Sequence, residues 1–237
     1  QSIGYFDRSL GLGQYNRQTK ADALYWRGEA YYRLNRMEEA KRNFTDYLQL
    51  TQQTNNEMYA LAHYNLGYIA FHQKDYVQAQ NWFRKYISLE KGENKTALAD
   101  AYNRIGDCYL DVRNFDEAKH YYSQAEAMNT PSGDYSFYQL ALVSGLQKDY
   151  SGKITWLNRL AGKYPASPYA ISALYEKGRS YVLMDNNQQA ITSFKELLAK
   201  YPESPVSRKA AAEIGLLYYQ NEDYNQAIDA YKQVVQK

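Results

Sequence analysis

Ala60–Leu89, ALAHYNLGYIAFHQKDYVQAQNWFRKYISL, decides how the rest of the chain is read. Gly67 follows Leu66, Ala79 stands twelve residues later, and Phe83 and Tyr86 come four and seven after that. Apolar residues recur at spacings of three and four on both sides of a polar break, His72–Asp75. That pattern describes two amphipathic helices folded back on each other, each with one apolar face. Two such helices cannot bury their faces alone, so the stretch requires neighbours of its own kind.

The chain supplies them. Gly28 is followed by Tyr31, Ala40 and Phe44, and Gly67 by Ala70, Ala79 and Phe83. Gly106 brings Tyr109, Ala118 and Tyr122; Gly178 brings Tyr181, Ala190 and Phe194; Gly215 brings Tyr218, Ala227 and Tyr231. The first three glycines stand 39 residues apart and the last two 37. Between Gly106 and Gly178 there is room for one more unit, Phe137–Leu160, with Ala141 in the glycine place. A self-similar period in the thirties marks a helical solenoid. Small residues on both helices let the backbones approach while the aromatics fill the space beside them. Tyr31, Tyr76, Tyr109, Tyr122, Tyr150, Tyr181, Tyr218, Tyr224 and Tyr231 are accordingly expected in the repeat core.

The spacing resembles the tetratricopeptide repeat, whose usual pattern is W-x2-L-G-x2-Y, a turn, A-x3-F-x2-A and a late proline. Tyr64-Asn65-Leu66-Gly67 with Lys74-Asp75-Tyr76 and Ala79 matches best, followed by Ile214-Gly215, Tyr218 and Asp223–Ile228. The resemblance runs from Ala21 to Lys237 and implies an all-α fold of antiparallel helix pairs in a right-handed superhelix. It is read as one solenoid over residues 1–237: six pairs from about residue 21, after the second helix of a truncated repeat at 1–10.

Composition bounds the function. Among 237 residues, 28 Lys and Arg balance 26 Asp and Glu, so no global field points to nucleic acid or an acidic membrane. Mean hydropathy is −0.73, and no apolar run approaches the roughly 18 residues of a membrane span. Cys108 is the only cysteine, which excludes an internal disulfide and reads as a small buried residue. The chain starts at Gln1 with no leader, so any signal peptide lies outside it.

The joints are legible too. Gly11-Leu12-Gly13 breaks the first helix and Thr51–Asn56 links the first two full units. Lys91–Lys95 and Asn129–Asp134 follow, and all five prolines (131, 165, 168, 202 and 205) are expected in joints. Lys163–Pro168 and Lys200–Pro205 are near copies in which Ser-Pro caps and starts the next helix. The unit from Phe137 departs from the pattern: Ser144 replaces the tyrosine, and Lys153 stands in the second-helix alanine place. A lysine there is expected to snorkel outwards or open the pair, and alanine in its place to tighten it.

Catalytic signals are absent. His63 and His72 are nine residues apart, half a turn out of phase on a helix, and His120 lies in another unit. No nucleophile elbow, phosphate loop or metal-spaced cluster occurs, so neither enzyme activity nor cofactor or metal is expected. Asn43-Phe44-Thr45 and Asn94-Lys95-Thr96 match a glycosylation acceptor, the first at a core position.

The resemblance implies a groove lined by positions three before, one after and four after each glycine. These are Tyr25, Glu29 and Tyr32, then Tyr64, Tyr68 and Phe71, then Asn103, Asp107 and Leu110. Later units give Tyr138, Leu142 and Gly145; Tyr175, Arg179 and Val182; Ala212, Leu216 and Tyr219. Tyr25, Tyr32, Tyr64 and Tyr68 are expected to form an aromatic strip flanked by Glu29 and Asp107, with Asp22, Asp100 and Asp111 adding acidity close by. The second groove position lacks the asparagine of a carboxylate clamp, which argues against capture of an acidic tail. The expected function is a non-enzymatic scaffold holding a neutral or basic protein segment, with no nucleic acid and no membrane insertion. An architectural or self-associating segment of a longer repeat protein, and a carbohydrate-binding module or enzyme, stand as alternatives. The repeated K-Y-P-x-S-P joints are similar to bacterial cell-envelope members of the family, the Tol–Pal-associated coordinator and outer-membrane assembly lipoproteins. That similarity implies a periplasmic or envelope setting, with cytoplasm as the alternative.

Overall fold

The computed structural model describes residues 2–11, 16–51 and 57–235, all of their regular structure helical. The joint residues 12–15 and 52–56 lie outside the described residues, Leu12 and Gly13 with them. The chain divides into two compact units, Gln1–Thr130 and Pro131–Lys237. In the first, α1 (Ser2–Gly11) packs on α2 (Arg17–Arg33), which pairs with α3 (Met37–Thr51). The pairs α4 (Glu57–His72) with α5 (Tyr76–Leu89) and α6 (Lys95–Asp111) with α7 (Phe115–Ala127) follow. The second unit holds three more pairs. They are α8 (Asp134–Leu146) with α9 (Tyr150–Lys163), α10 (Ala170–Leu183) with α11 (Asn187–Lys200), and α12 (Pro205–Gln220) with α13 (Tyr224–Val235). Within each unit the second helix of a pair also packs on the first helix of the next.

One turn geometry is used six times. Asn35, Lys74, Arg113, Lys148, Asp185 and Glu222, each seven residues after the glycine place, are left-handed with φ between 56° and 63°. The next residue donates its N–H five residues back: Asp75 to Ala70, Asn114 to Tyr109 and Asp223 to Tyr218, each at 2.9 Å. This closes the first helix as a Schellman motif. The same residue starts the second helix, the side chains of Asp75, Asn114, Asp149 and Asn186 accepting from the N–H three positions on. Three residues, the last two of them polar, thus reverse the chain in every pair.

The glycines answer to the ring sixteen residues later. A Cβ on Gly67 would lie 2.8 Å from the Phe83 ring, one on Gly106 2.7 Å from Tyr122, and one on Gly28 3.0 Å from Phe44. Gly178 meets Phe194 and Gly215 meets Tyr231 in the same way. The small residue therefore admits an aromatic edge between the helices, more than it brings two backbones together. Phe44, Phe83, Tyr122 and Phe194 are fully buried as a result. Tyr231 and Tyr224 depart from the expected core: both are exposed, because no described helix packs on the outer face of α13. The remaining signature tyrosines apart from Tyr122 are half-buried.

The unit with Ala141 keeps the register. Leu157 stands in the aromatic place and is buried, so a smaller side chain on α9 balances the extra methyl on α8. Lys153 neither snorkels to solvent nor opens the pair; it is 7% exposed. Its stem crosses the bare face of Gly145, where a Cβ would meet Cδ at 2.9 Å, and its ammonium pairs with Glu176 on α10. Pro205 opens α12, with Ser204 Oγ accepting from Val206 N at 3.2 Å. The copied joint starts α10 two residues after Pro168, where Ser167 Oγ accepts from Tyr169 N at 3.1 Å. Asn43 is buried, taking Arg27 Nε at 2.7 Å, and Asn94 caps α6.

Candidate interaction face

The first helices of the first unit share a face built from the positions before and after each glycine. Its deepest row is not free. Tyr25 is 3% exposed, edge-on to Phe44 and Tyr47 of its own pair at 5.6 and 5.4 Å. Tyr64 repeats the arrangement against Phe83 and Tyr86 at 5.8 and 5.0 Å, and Asn103 is 5% exposed. Burial is the first cause raising the hydroxyl pKa of Tyr25 and Tyr64, neighbouring acids the second. Tyr25 of the expected strip therefore lies in the core, as does Asn103 of the expected groove. A residue three before the glycine faces its own second helix as well as the groove side, which spacing alone does not separate.

Tyrosines from the deepest row and the row above it converge on Asp100. Tyr64 donates its hydroxyl to Asp100 Oδ2 at 2.7 Å, and Tyr68 donates to the same oxygen. Arg104 lies one turn on, 3.5 Å from Asp100 Oδ1 and 2.6 Å from Asp107 Oδ2, with its guanidinium 5.8 Å from the Phe71 ring centre. Asp107 also accepts from Tyr122 at 2.7 Å. Between α2 and α4, Asn65 donates to Glu29 at 2.7 Å, and exposed Arg33 stands 3.6 Å from the other oxygen of Glu29. The rings of Tyr32 and Tyr68 flank His72 at 6.5 and 6.3 Å. The structure thus brings together Glu29, Tyr32, Tyr64, Tyr68, Phe71 and Asp107, held from α4 to α6 by the hydroxyl–carboxylate bonds. Carboxylates at 29, 100, 107 and 111 outnumber the guanidiniums of Arg33 and Arg104. Arg104, Asn65 and His72 stand outside the groove positions that the resemblance implies; for Arg104 the sequence signal is Asp100, Arg104 and Asp107 at i, i+4 and i+7.

Tyr138 belongs to the second unit, stacked on Tyr169 at 4.7 Å and 14°. Two acids on that unit's first helices carry their own cations: Glu176 takes Lys153, and Glu213 takes Arg179 at 2.8 Å, with Tyr175 at 3.3 Å, while Asp134 accepts from Ser167 at 2.7 Å. Leu146, Leu183, Leu216 and Tyr219 are exposed there. The first helices of the two units therefore differ locally: Tyr64 and Tyr68 converge on Asp100 in the first, whereas Glu176 and Glu213 are each paired with a cation in the second.

Other buried groups are quiet. Cys108 is fully buried, and burial followed by Asp107 pushes its thiol up to about 12. His63 is buried between Tyr59 and Trp82, its Nδ1 2.8 Å from Tyr59 O, and burial lowers its pKa. Among the described residues no group of His, Cys, Asp and Glu could hold a metal ion. No described helix is long and apolar enough to cross a membrane.

Comparison with known proteins agrees with this architecture. Sequence profiles described as tetratricopeptide repeat match residues 22–50, 59–130, 103–168 and 175–237. A curated relative, the uncharacterized protein ycf37 of Guillardia theta, is 40% identical over 62 residues, 26% of this chain and 35% of that protein. Among solved structures, the C-terminal part of a repeat protein from Cytophaga hutchinsonii superposes with a TM-score of 0.79 at 19% identity, covering 98% of this chain and 88% of that one. YrrB, described as a TPR protein with an unusual peptide-binding site, gives 0.64 at 16% identity over 86% of this chain and 96% of its own. MamA gives 0.62 at 17% identity over 75% and 90%. These identities carry the fold alone. With one profile covering more than half of its length, the chain belongs to the tetratricopeptide repeat family.

Proposed function

We propose that this protein is a non-enzymatic interaction scaffold whose first unit holds a segment of a partner protein on the shared face of α2, α4 and α6. The observation that carries this reading is the half-buried pair of rings Tyr32 and Tyr68 on either side of His72, with Tyr68 held by its hydrogen bond to Asp100. Rigid aromatics with a hydroxyl at the edge offer large contact area at low entropy cost. Family membership supports a protein or peptide as the partner, and YrrB is a protein of the same fold with a peptide-binding site. The excess of carboxylates favours a neutral or basic segment. A periplasmic or envelope setting in a bacterium is part of this reading and rests on the K-Y-P-x-S-P joints and the tyrosine richness of the chain. The test is site-specific photocrosslinking in the source lysate, from Leu110 on the shared face and from Val77, which is exposed on α5. A discrete adduct from position 110 and none from 77 is expected; equal capture from both positions refutes the site.

A second reading, self-association, has its own observation. Ile228 on α13 is 52% exposed, whereas Ile191, its equivalent on α11, is 5% exposed beneath α12. Sedimentation of Ile228→Asp against the parent separates this reading, because only an α13-mediated oligomer would dissociate.

A further inference from the structure

We propose that a cleft of the second unit, between α11 and α13 over α12, takes a tyrosine side chain of a partner protein. The cavity measures about 490 Å³ and is bounded by Lys195 and Leu198 on α11, Ala211 and Tyr218 on α12, and Asp229 and Ala230 on α13. That volume lies within the roughly 300–1,000 Å³ of sites that hold organic groups. The proposal shares the scaffold reading but is independent of the face of α2, α4 and α6. The chain itself shows what fits there. In three other pairs the residues four before and fifteen after the glycine place are two rings in contact. They are His63 with Trp82 at 5.6 Å, Tyr102 with Tyr121 at 6.3 Å, and Phe137 with Trp156 at 5.8 Å. In the last pair these positions are Ala211 and Ala230, and the cleft opens where the rings would stand.

The junction of α5, α6 and α7 is the informative counterpart, because the surroundings of its rings recur at the cleft. Tyr109 corresponds to Tyr218, each three residues after its glycine, and Arg84 to Lys195, each one after the buried phenylalanine of the preceding pair. At that junction Tyr121 stacks on Tyr109 at 5.5 Å and 20°. Arg84 donates to both hydroxyls, to Tyr121 at 3.2 Å and to Tyr109 at 2.5 Å. At the cleft Lys195 makes only the second of these bonds, to Tyr218 at 2.9 Å, with its ammonium 5.5 Å from the centre of that ring. An ammonium has three donors, so it can serve a second hydroxyl. A phenol in the place of Tyr121 would stack on Tyr218, cover the two alanine methyls and accept from Lys195. Asp229, in the place of His120 and 74% exposed at the rim, repels a carboxylate and so selects a phenol over an anionic ring.

The experiment uses the full chain with 13C-labelled alanine methyls, titrated with acetyl-Gly-Tyr-Gly-amide and with its phenylalanine and leucine counterparts. Saturable shifts of Ala211 and Ala230 are expected with tyrosine. Phenylalanine should bind about fivefold more weakly, the ratio of one ordinary hydrogen bond, and leucine should not saturate. Lys195→Met should bring the tyrosine peptide down to the level of phenylalanine. Ala230→Tyr, which gives the cleft a ring of the chain's own, should abolish binding with an unchanged or higher melting temperature. Tyrosine binding no tighter than phenylalanine or leucine, shifts that never saturate or fall on other alanines, or an Ala230→Tyr variant that melts lower, overturns the proposal. Shifts of the two alanines on concentrating the chain alone would seat a ring of a second copy in the cleft and overturn the assignment to a partner. Crosslinking from Leu110 reports the shared face by itself, so that reading stands or falls apart from the cleft.

Discussion

Gly67 and Phe83 can be traded for the pair that the chain itself uses at Ala141 and Leu157. A Cβ on Gly67 would stand 2.8 Å from two carbons of the Phe83 ring and 2.9 Å from a third, closer than real Cβ contacts come. The ring is fully buried and has no free direction to move. Overpacking of this kind costs about 1–3 kcal/mol, and the better helix propensity of alanine returns about 0.5–1 kcal/mol. Gly67→Ala should therefore destabilise by about 1.5 kcal/mol in net. Phe83→Leu alone leaves a void beside a bare glycine and should cost about 2 kcal/mol, below the 3–5 of a full truncation to alanine. Combined, the new methyl enters the space vacated by the ring, as in the pair of α8 and α9. The double variant should be at least 1 kcal/mol more stable than the sum of the single effects. Urea unfolding followed by circular dichroism, on the parent and the three variants, measures the cycle. Strict additivity, or a Gly67→Ala variant as stable as the parent, would refute the account of why glycine recurs.

Lys153→Ala should destabilise by about 2 kcal/mol, below the figure for a fully buried pair because Glu176 keeps 30% of its side-chain surface. Lys153→Met, which keeps the stem, should lose less; a stabilised alanine variant in urea unfolding would contradict the ion-pair placement. His63 is held neutral by burial, with its folded pKa below the ordinary 6.5, so its contribution is complete above 6.5 and is lost as pH falls towards the folded value. His63→Gln should flatten the acid-side fall in melting temperature over that window, and an unchanged pH profile would count against it. Cys108 should resist alkylation in the folded chain and react only on unfolding, since burial keeps its thiol protonated; labelling at the rate of an exposed thiol would contradict its placement.

The helix pairs were legible because glycine, alanine and aromatic positions recur at fixed spacing, and packing enforces that spacing. The turns were legible only as breaks. Lys74, Arg113, Lys148 and Glu222 adopt left-handed φ without being glycine or asparagine, so residue type gave no signal of the Schellman geometry. Lys153 could not be placed from sequence because its outlet, Glu176, lies 23 residues on and in the next pair. On the shared face, spacing found the rows but not their depth. Tyr25 and Tyr68 are the same residue type a few positions from a glycine, yet one meets Phe44 in the core and the other reaches Asp100. That difference depends on how α4 faces α6, which no local pattern encodes.

The shared face is tested most directly by calorimetry of the segment that crosslinks at Leu110, titrated into the parent, Tyr68→Ala and Val77→Ala, with melting temperature as the control. Tyr68 is expected to be an anchor, so its truncation should cost about 2 kcal/mol, roughly a thirtyfold loss of affinity. Val77→Ala should bind like the parent. A folded Tyr68→Ala variant that binds the segment as tightly as the parent would contradict the placement of the partner on α2, α4 and α6.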